Sequence, residues 1–247
     1  MKLSATKVNK FLRCQRSYED HYIRNNKSEP TQALTQGSIS HQVVAYGFEH
    51  KVEHKTDIDL QKKLDLVEEL FEEDQRTGNT SYNDPVSDVI KQTREIVTVH
   101  DEEISQRVTP VLIEKPFNVD VNGVDLVGVW DLIDEDGTII DFKTYSKRPS
   151  EAEVDRDLQL SFYSLAYRLL FGEIEQGIRL DIVLKQKNMK SLQILTSRTS
   201  DELRWTARMI EQIAEQMEGT VFPPSPNGWH CDPRYCGAWD NCQYGNY

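Results

Sequence analysis

The sequence predicts an α+β domain. Apolar residues recur at spacings of three and four over most of residues 4 to 106, the period of amphipathic helices. Short runs rich in Val, Ile and aromatics then alternate with Asn-Gly and Asp-Gly turns between 111 and 144, the texture of strands and hairpins. Helical spacing returns near 152.

Helices are expected over 4–24, 37–54, 58–76 and 84–106. Leu60, Leu64, Val67 and Phe71 illustrate the spacing, Pro85 suits a helix start, and Gly78-Asn79 a break. Strands are expected at 111–121, 124–134 and 138–144, with turns at Asn122-Gly123 and Asp136-Gly137. A helix over 152–171, strands over 178–186 and 191–197, and a helix over 201–217 follow. Ser200 is the expected cap of the last helix, with Asp201 and Glu202 favourably placed against its dipole. The tail from 221 is rich in Pro and Gly and reads as irregular. Three segments are expected in one integrated unit: a helical part over 1–110, a sheet-bearing core over 111–220, and a Cys-rich tail over 221–247.

The chain has 247 residues, enough for one ordinary core. It contains no run of about 18 apolar residues, so no membrane span is expected. MKLSATKVNKF lacks the apolar stretch of a secretory signal, which makes the cytoplasm the expected location. A net charge of −12 argues against broad coating of nucleic acid. The charge is unevenly placed, however. Residues 1 to 27 carry seven Lys/Arg against Glu19 and Asp20, while residues 49 to 106 carry 16 acids against seven bases. The acidic stretch reads as a solvated helical face, or a face toward a partner protein. The basic start, with Lys185, Lys187 and Lys190, could line a groove for a strand.

The segment GVWDLIDEDGTIIDFKTYS, 128 to 146, places charges inside a hairpin. Side chains alternate faces along a strand, so Ile139, Asp141 and Lys143 share one face of the second strand. The turn decides whether Asp131 joins them. A two-residue Asp136-Gly137 loop sets Asp131 opposite Phe142, on the other face. A three-residue Glu135-Asp136-Gly137 loop sets it opposite Asp141. Carboxylates so close repel unless a cation lies between them, and oxygen ligands suit Mg²⁺ or Mn²⁺. A polar outer face on a surface hairpin is the plainer alternative.

These residues resemble the PD-(D/E)XK nuclease superfamily, in particular the RecB-type exonuclease branch, which includes CRISPR-adaptation exonucleases and phage relatives. The pattern G-x-x-D, turn, D-x-K stands as Gly128 to Asp131 and Asp141-Phe142-Lys143. Gly37 to His41 resembles the branch's G-x-x-x-H, Gln159 to Tyr163 its Q-x-x-x-Y, and LSATKVNKFLRCQRSYEDHYI its opening helix. Each piece alone is weak; together they follow the family order over nearly the whole chain.

The resemblance implies a restriction-endonuclease-like core, a central mixed sheet flanked by helices, carrying a Mg²⁺- or Mn²⁺-dependent deoxyribonuclease. His41, Asp131, Asp141 and the backbone carbonyl of Phe142 would hold the metal. Asp131, Asp141 and Lys143 would be catalytic, Lys143 orienting the attacking water. Gln159 and Tyr163 would border the cleft and contact substrate. Glu114 lies where relatives often carry a strand acid, as a further contributor or an ordinary edge residue. A His among carboxylates tilts the preference toward Mn²⁺.

The four cysteines are Cys14, Cys231, Cys236 and Cys242. By resemblance they would bind a 4Fe–4S cluster, closing the two ends of the chain together; zinc on the same thiolates, or free thiols, are the alternatives. The Cys231-to-Cys236 gap is wider than the branch's usual one, and Gln15 stands where relatives commonly have Pro. The implied function is exonucleolytic cleavage of DNA, at single-stranded ends, in recombination, repair or CRISPR adaptation, with proteins of those processes as partners. A non-catalytic DNA-binding or assembly subunit on the same fold is the competing expectation.

Overall fold

The computed structural model describes residues 1–244, which divide into two compact units. The larger takes residues 29–117 and 129–198. The smaller takes residues 1–28, 118–128 and 199 onward.

The larger unit is a sheet with helices on its faces, as expected of an α+β core. Three helices lead: α3 (Gln32–His54), α4 (Leu60–Thr77) and α5 (Val86–Glu103). They pack through Ile39 and Val43 of α3, Val67 and Phe71 of α4, and Val89 and Val97 of α5. The acids of 49–106 mostly face outward from these contacts, consistent with a solvated face. Helix α3 starts five residues before its expected bound, because the Thr31 side chain accepts a hydrogen bond from the Leu34 N–H and caps it. Gly78, at φ 65°, ends α4 in the left-handed region that glycine adopts without strain.

Strands β2 (Pro110–Val121), β3 (Val124–Asp134), β4 (Thr138–Tyr145), β5 (Gly177–Leu184) and β6 (Lys190–Thr196) make the sheet. β3 and β4 are antiparallel, β4 and β5 parallel, and β5 and β6 antiparallel, which is the mixed arrangement expected. Val44 and Phe48 of α3 and Ile96 of α5 cover one face, against Leu132, Ile140, Phe142 and Val183. On the other, α7 (Leu158–Phe171) is tied to β3: the Trp130 indole N–H donates to the Tyr163 carbonyl at 3.2 Å. The helix expected over 152–171 is broken. α6 (Glu151–Asp155) stops, and Asp157 leaves the helical conformation to cap α7, accepting from the Gln159 and Leu160 N–H groups.

In the smaller unit, β1 (Lys2–Leu3) pairs in parallel with the start of β3. The N-terminal helix is also interrupted. α1 (Ala5–Arg13) ends at Cys14, which is extended at φ −162°, and α2 (Gln15–Tyr18) resumes after it. Phe11, Tyr18 and Phe222 pack their rings together, Phe11 and Tyr18 edge-on at 5.1 Å. α8 (Ser200–Met217) is capped by Thr199 rather than Ser200. Thr199 and Glu202 form a reciprocal capping box, which places the cap at the threonine three residues before a glutamate. Among the described residues the tail is irregular over 221–226 and then mostly bends and turns, with one 3₁₀ turn at Trp239–Asn241. No helix among the described residues is long and apolar enough to cross a membrane.

Candidate active site

The hairpin turn decides the site. β3 ends at Asp134 and β4 begins at Thr138, so the loop has three residues, with Gly137 at φ 84° donating its N–H to the Asp134 carbonyl. Leu132 pairs with Ile140 and Ile133 with Ile139. One further step sets Asp131 against Asp141, the arrangement that the three-residue loop predicts. There the ladder gives way: the Phe142 N–H donates to Asp131 Oδ2 at 3.0 Å instead of to a backbone carbonyl on β3. The strands part at that point, and the carboxylates fill the opening.

His41 comes to the same place from α3, ninety residues away in sequence. Its Nδ1 lies 3.4 Å from Asp131 Oδ2, it hydrogen-bonds the backbone of Phe142, and its ring packs on the Phe142 ring at 5.2 Å. Lys143 Nζ donates to Asp141 Oδ1 at 3.1 Å. Gln159 Nε2 donates to the same oxygen at 3.2 Å and to the Tyr163 hydroxyl at 2.7 Å. Asp131, Asp141, Lys143, His41, Phe142, Gln159 and Tyr163 are therefore all brought together. Tyr163 is buried, with its ring edge-on to Phe117, so it reaches the site through Gln159 and presents no face for a base.

Glu114 belongs to the group more closely than its sequence suggests. His41, Glu114 and Asp131 each offer a ligand atom, all within 4.8 Å of one another, the one such cluster among the described residues. Glu114 sits in β2 at φ 42°, a conformation that a non-glycine residue rarely takes in a strand. The turned backbone breaks the simple alternation of β2. Pro116, two residues on, was the only hint in the sequence of an irregular strand.

The charges are under electrostatic stress. Burial, and then the neighbouring Asp131, push Asp141 up to about 7. Burial likewise pushes Asp131 up to about 6, against the pull of Lys143. Burial, with Lys143 beside it, holds His41 down to about 4, so its imidazole is neutral near pH 7 and has a lone pair to give. Burial works against the Lys143 ammonium, but Asp141 and Asp131 outweigh it and hold Lys143 above its ordinary value. Glu114 is raised by burial of its carboxyl and by Glu49. A second histidine, His100 of α5, lies buried behind the Phe142 ring at 4.8 Å, held down to about 3 by burial, Lys63 and His41.

A buried acid and a half-buried one that resist ionisation, a third acid close beside them and a neutral imidazole make a donor set of oxygen and nitrogen that a hard divalent cation would relieve. The residues present thus fit a Mg²⁺- or Mn²⁺-type ion.

The cysteines are all reduced, and all four line one cavity of about 130 Å³ in the smaller unit, with Lys10, Arg13 and Arg16 on its wall. The Ser225 N–H donates to Cys14 Sγ at 3.4 Å. No three cysteine sulfurs lie within 4.8 Å of one another among the described residues, so the set is not drawn in around a single ion.

Comparison with known proteins bears on the family and the fold. The model of the PD-(D/E)XK nuclease superfamily matches residues 2–243. The chain is similar to a crystal structure from Eubacterium rectale, provisionally assigned as an exonuclease, at 12% identity and a TM-score of 0.62, over 93% of this chain and 86% of that one. A second solved structure, SSO0001, is 14% identical over 99% of this chain and 86% of that one, at a TM-score of 0.37 too low to bear on the fold. No curated protein matches.

Proposed function

Because this chain belongs to the PD-(D/E)XK nuclease superfamily, we propose that it is a divalent-metal-dependent DNA exonuclease of the RecB type. The observation that carries the reading is the convergence of Asp131, Asp141, Lys143 and His41 at the point where β3 and β4 part. A dead binding subunit has no chemical use for two facing acids, both resisting ionisation, beside a lysine. The provisional assignment of the E. rectale protein supports attack at ends. The preference for single-stranded ends, and a role in recombination, repair or CRISPR adaptation, rest on the motif resemblance.

In this reading His41, Asp131, Asp141 and the Phe142 carbonyl hold the metal, with Glu114 beside them. A bound divalent ion supplies charge neutralisation at the phosphate and makes its water more acidic. Lys143 orients the attacking water and stabilises negative charge as it develops on phosphorus oxygens. Gln159, braced by Tyr163, keeps Asp141 turned toward the opening.

End-labelled single-stranded, duplex and circular DNA, incubated with protein and Mn²⁺ or Mg²⁺, test it. Shortening of linear single strands with circles untouched is expected. DNA bound but intact under every metal supports the non-catalytic alternative.

We also propose that Cys14, Cys231, Cys236 and Cys242 hold a 4Fe–4S cluster, a reading that rests on the motif resemblance and on four free thiols lining one cavity. Anaerobically purified protein should be brown, with about four irons per chain and a broad visible band lost in Cys236→Ser. Colourless protein carrying stoichiometric zinc would overturn this.

A further inference from the structure

Helix α1 of the smaller unit carries Lys7, Lys10 and Arg13 at three-residue steps and no acid. At the rise of an α-helix the three span about 9 Å of its axis. None of them forms an ion pair among the described residues. Glu19 nearby is taken by Arg16 and Arg24, and Asp20 is buried and accepts from the Asn26 amide. Burial, and then Arg13, lower Lys10, although Cys236 and Asp20 pull the other way. The ridge is therefore short of countercharge on a chain that is acidic as a whole.

Aromatic rings stand along the same ridge. Lys7 Nζ lies 5.6 Å from the centre of the Tyr22 ring, and the Arg13 guanidinium lies 5.3 Å from the centre of the Trp229 ring. Tyr235 meets Trp229 edge-on at 5.6 Å. Trp229 and Tyr235 are 67% and 59% exposed, so neither ring is buried in the core of its own unit.

Unpaired cations interleaved with open rings match a single nucleic-acid strand, which presents a phosphate and an unstacked base at every step. Exposed Trp, Tyr and Arg also suit a protein partner, but a row of three cations without acids favours a polyanion. We propose that α1 with Trp229 and Tyr235 forms a track for single-stranded DNA, Lys7, Lys10 and Arg13 holding phosphates while the two rings stack on bases. The choice of DNA as the strand rests on the nuclease reading above.

The test measures binding of a fluorescein-labelled oligothymidylate of about 12 nucleotides, and of an abasic strand of the same length, in Ca²⁺ over a salt series. Trp229→Ala should weaken binding of the thymidylate about tenfold, the loss of one stacked base. It should leave the abasic strand and the salt slope nearly unchanged, and Trp229→Phe should restore most of the loss. Arg13→Gln should weaken both strands and flatten the log-log salt slope by about 0.7, one phosphate contact on a single strand. A Trp229→Ala protein that binds thymidylate like wild type overturns the proposal. So does a loss shared equally by the abasic strand, since the indole would then be structural. If Trp229→Ala does not fold, Tyr235→Ala decides by the same comparison. Wild type with no preference for thymidylate over the abasic strand also overturns it and leaves the surface to a protein partner. Wild type that shows the preference but never cuts in Mn²⁺ refutes the nuclease reading alone, because binding continues to report on the track.

Discussion

Asp141→Asn should cut DNA cleavage by about 10²- to 10³-fold, while making the metal-free protein more stable. The first effect follows from the proposed role: the amide neither carries the charge that holds a cation nor anchors Lys143 as an ion pair, and loss of one such electrostatic group costs about 10²- to 10³-fold. The second follows from the burial. Asp141 is 1% exposed and faces Asp131, and its carboxyl is pushed up to about 7 by burial and by that neighbour. Above about pH 7 the metal-free fold must keep it ionised at a cost, which an isosteric amide removes. Lys143 loses its partner in exchange, though Asp131 remains near, so the net gain is on the order of 1–2 kcal/mol. For a chain of this size that is about 5 °C in Tm. Gln159 Nε2 can still donate to the amide oxygen, so the local shape survives. Activity measured with Mn²⁺ and melting measured in EDTA decide the matter. A variant that cuts DNA normally ends the assignment of Asp141. A variant that melts well below wild type shows the carboxylate to be a structural ion-pair member instead. Gain of stability with loss of turnover is the mark of a residue kept for chemistry.

Much of this site could be read before the fold was seen, and the parts that could not share a cause. Strand alternation put Asp141 and Lys143 on one face, and Asn122-Gly123 and Asp136-Gly137 marked both turns; Asn122 and Gly123 indeed have φ of 53° and 86°. The register of the hairpin stayed open because Asp-Gly suits a two- or a three-residue loop equally. That choice belongs to how β3 and β4 pack, which no local pattern records. His41 was legible only as a motif, since nothing in α3 itself says where the helix will lie. Glu114 was underrated because its position depends on a left-handed backbone inside a strand, and alternation assumes that no such residue exists. The breaks at Cys14 and Asp157 were missed for a related reason. Both leave the helical conformation although the apolar spacing runs on, Cys14 to sit in the cavity wall and Asp157 to cap α7. Tyr163 shares a helix face with Gln159 as the spacing requires, but that face turns inward at its second residue.

Divalent metal should raise the melting temperature strongly at about pH 8 and little at about pH 5.5. The argument separates two sets of groups. Asp131 and Asp141 have folded values raised to about 6 and about 7, so the native state holds protons that the unfolded chain has released. Their contribution is greatest at low pH and is lost as pH rises through those values. His41 and His100 are lowered to about 4 and about 3, so the unfolded chain holds their protons, and their contribution grows as pH rises toward the ordinary histidine value. Over the acid range the two sets oppose each other, and the metal-free protein should melt at nearly the same temperature across it. The metal increment does not cancel in this way. A cation at the site must displace the protons on both carboxyls, while His41 is already neutral and offers no competition. Protonation of groups at about 7 and about 6 weakens binding by about 100-fold between those conditions, or about 2.7 kcal/mol of stabilisation at fixed millimolar Mn²⁺. That corresponds to about 5–10 °C less stabilisation at the acid end. Differential scanning calorimetry with Mn²⁺, Mg²⁺ and EDTA at both pH values measures it directly, and Asp131→Asn should abolish the metal increment at both. An equal increment at the two pH values would mean that the cation binds elsewhere on this acidic surface, and the carboxylates at 131 and 141 would lose their claim to it.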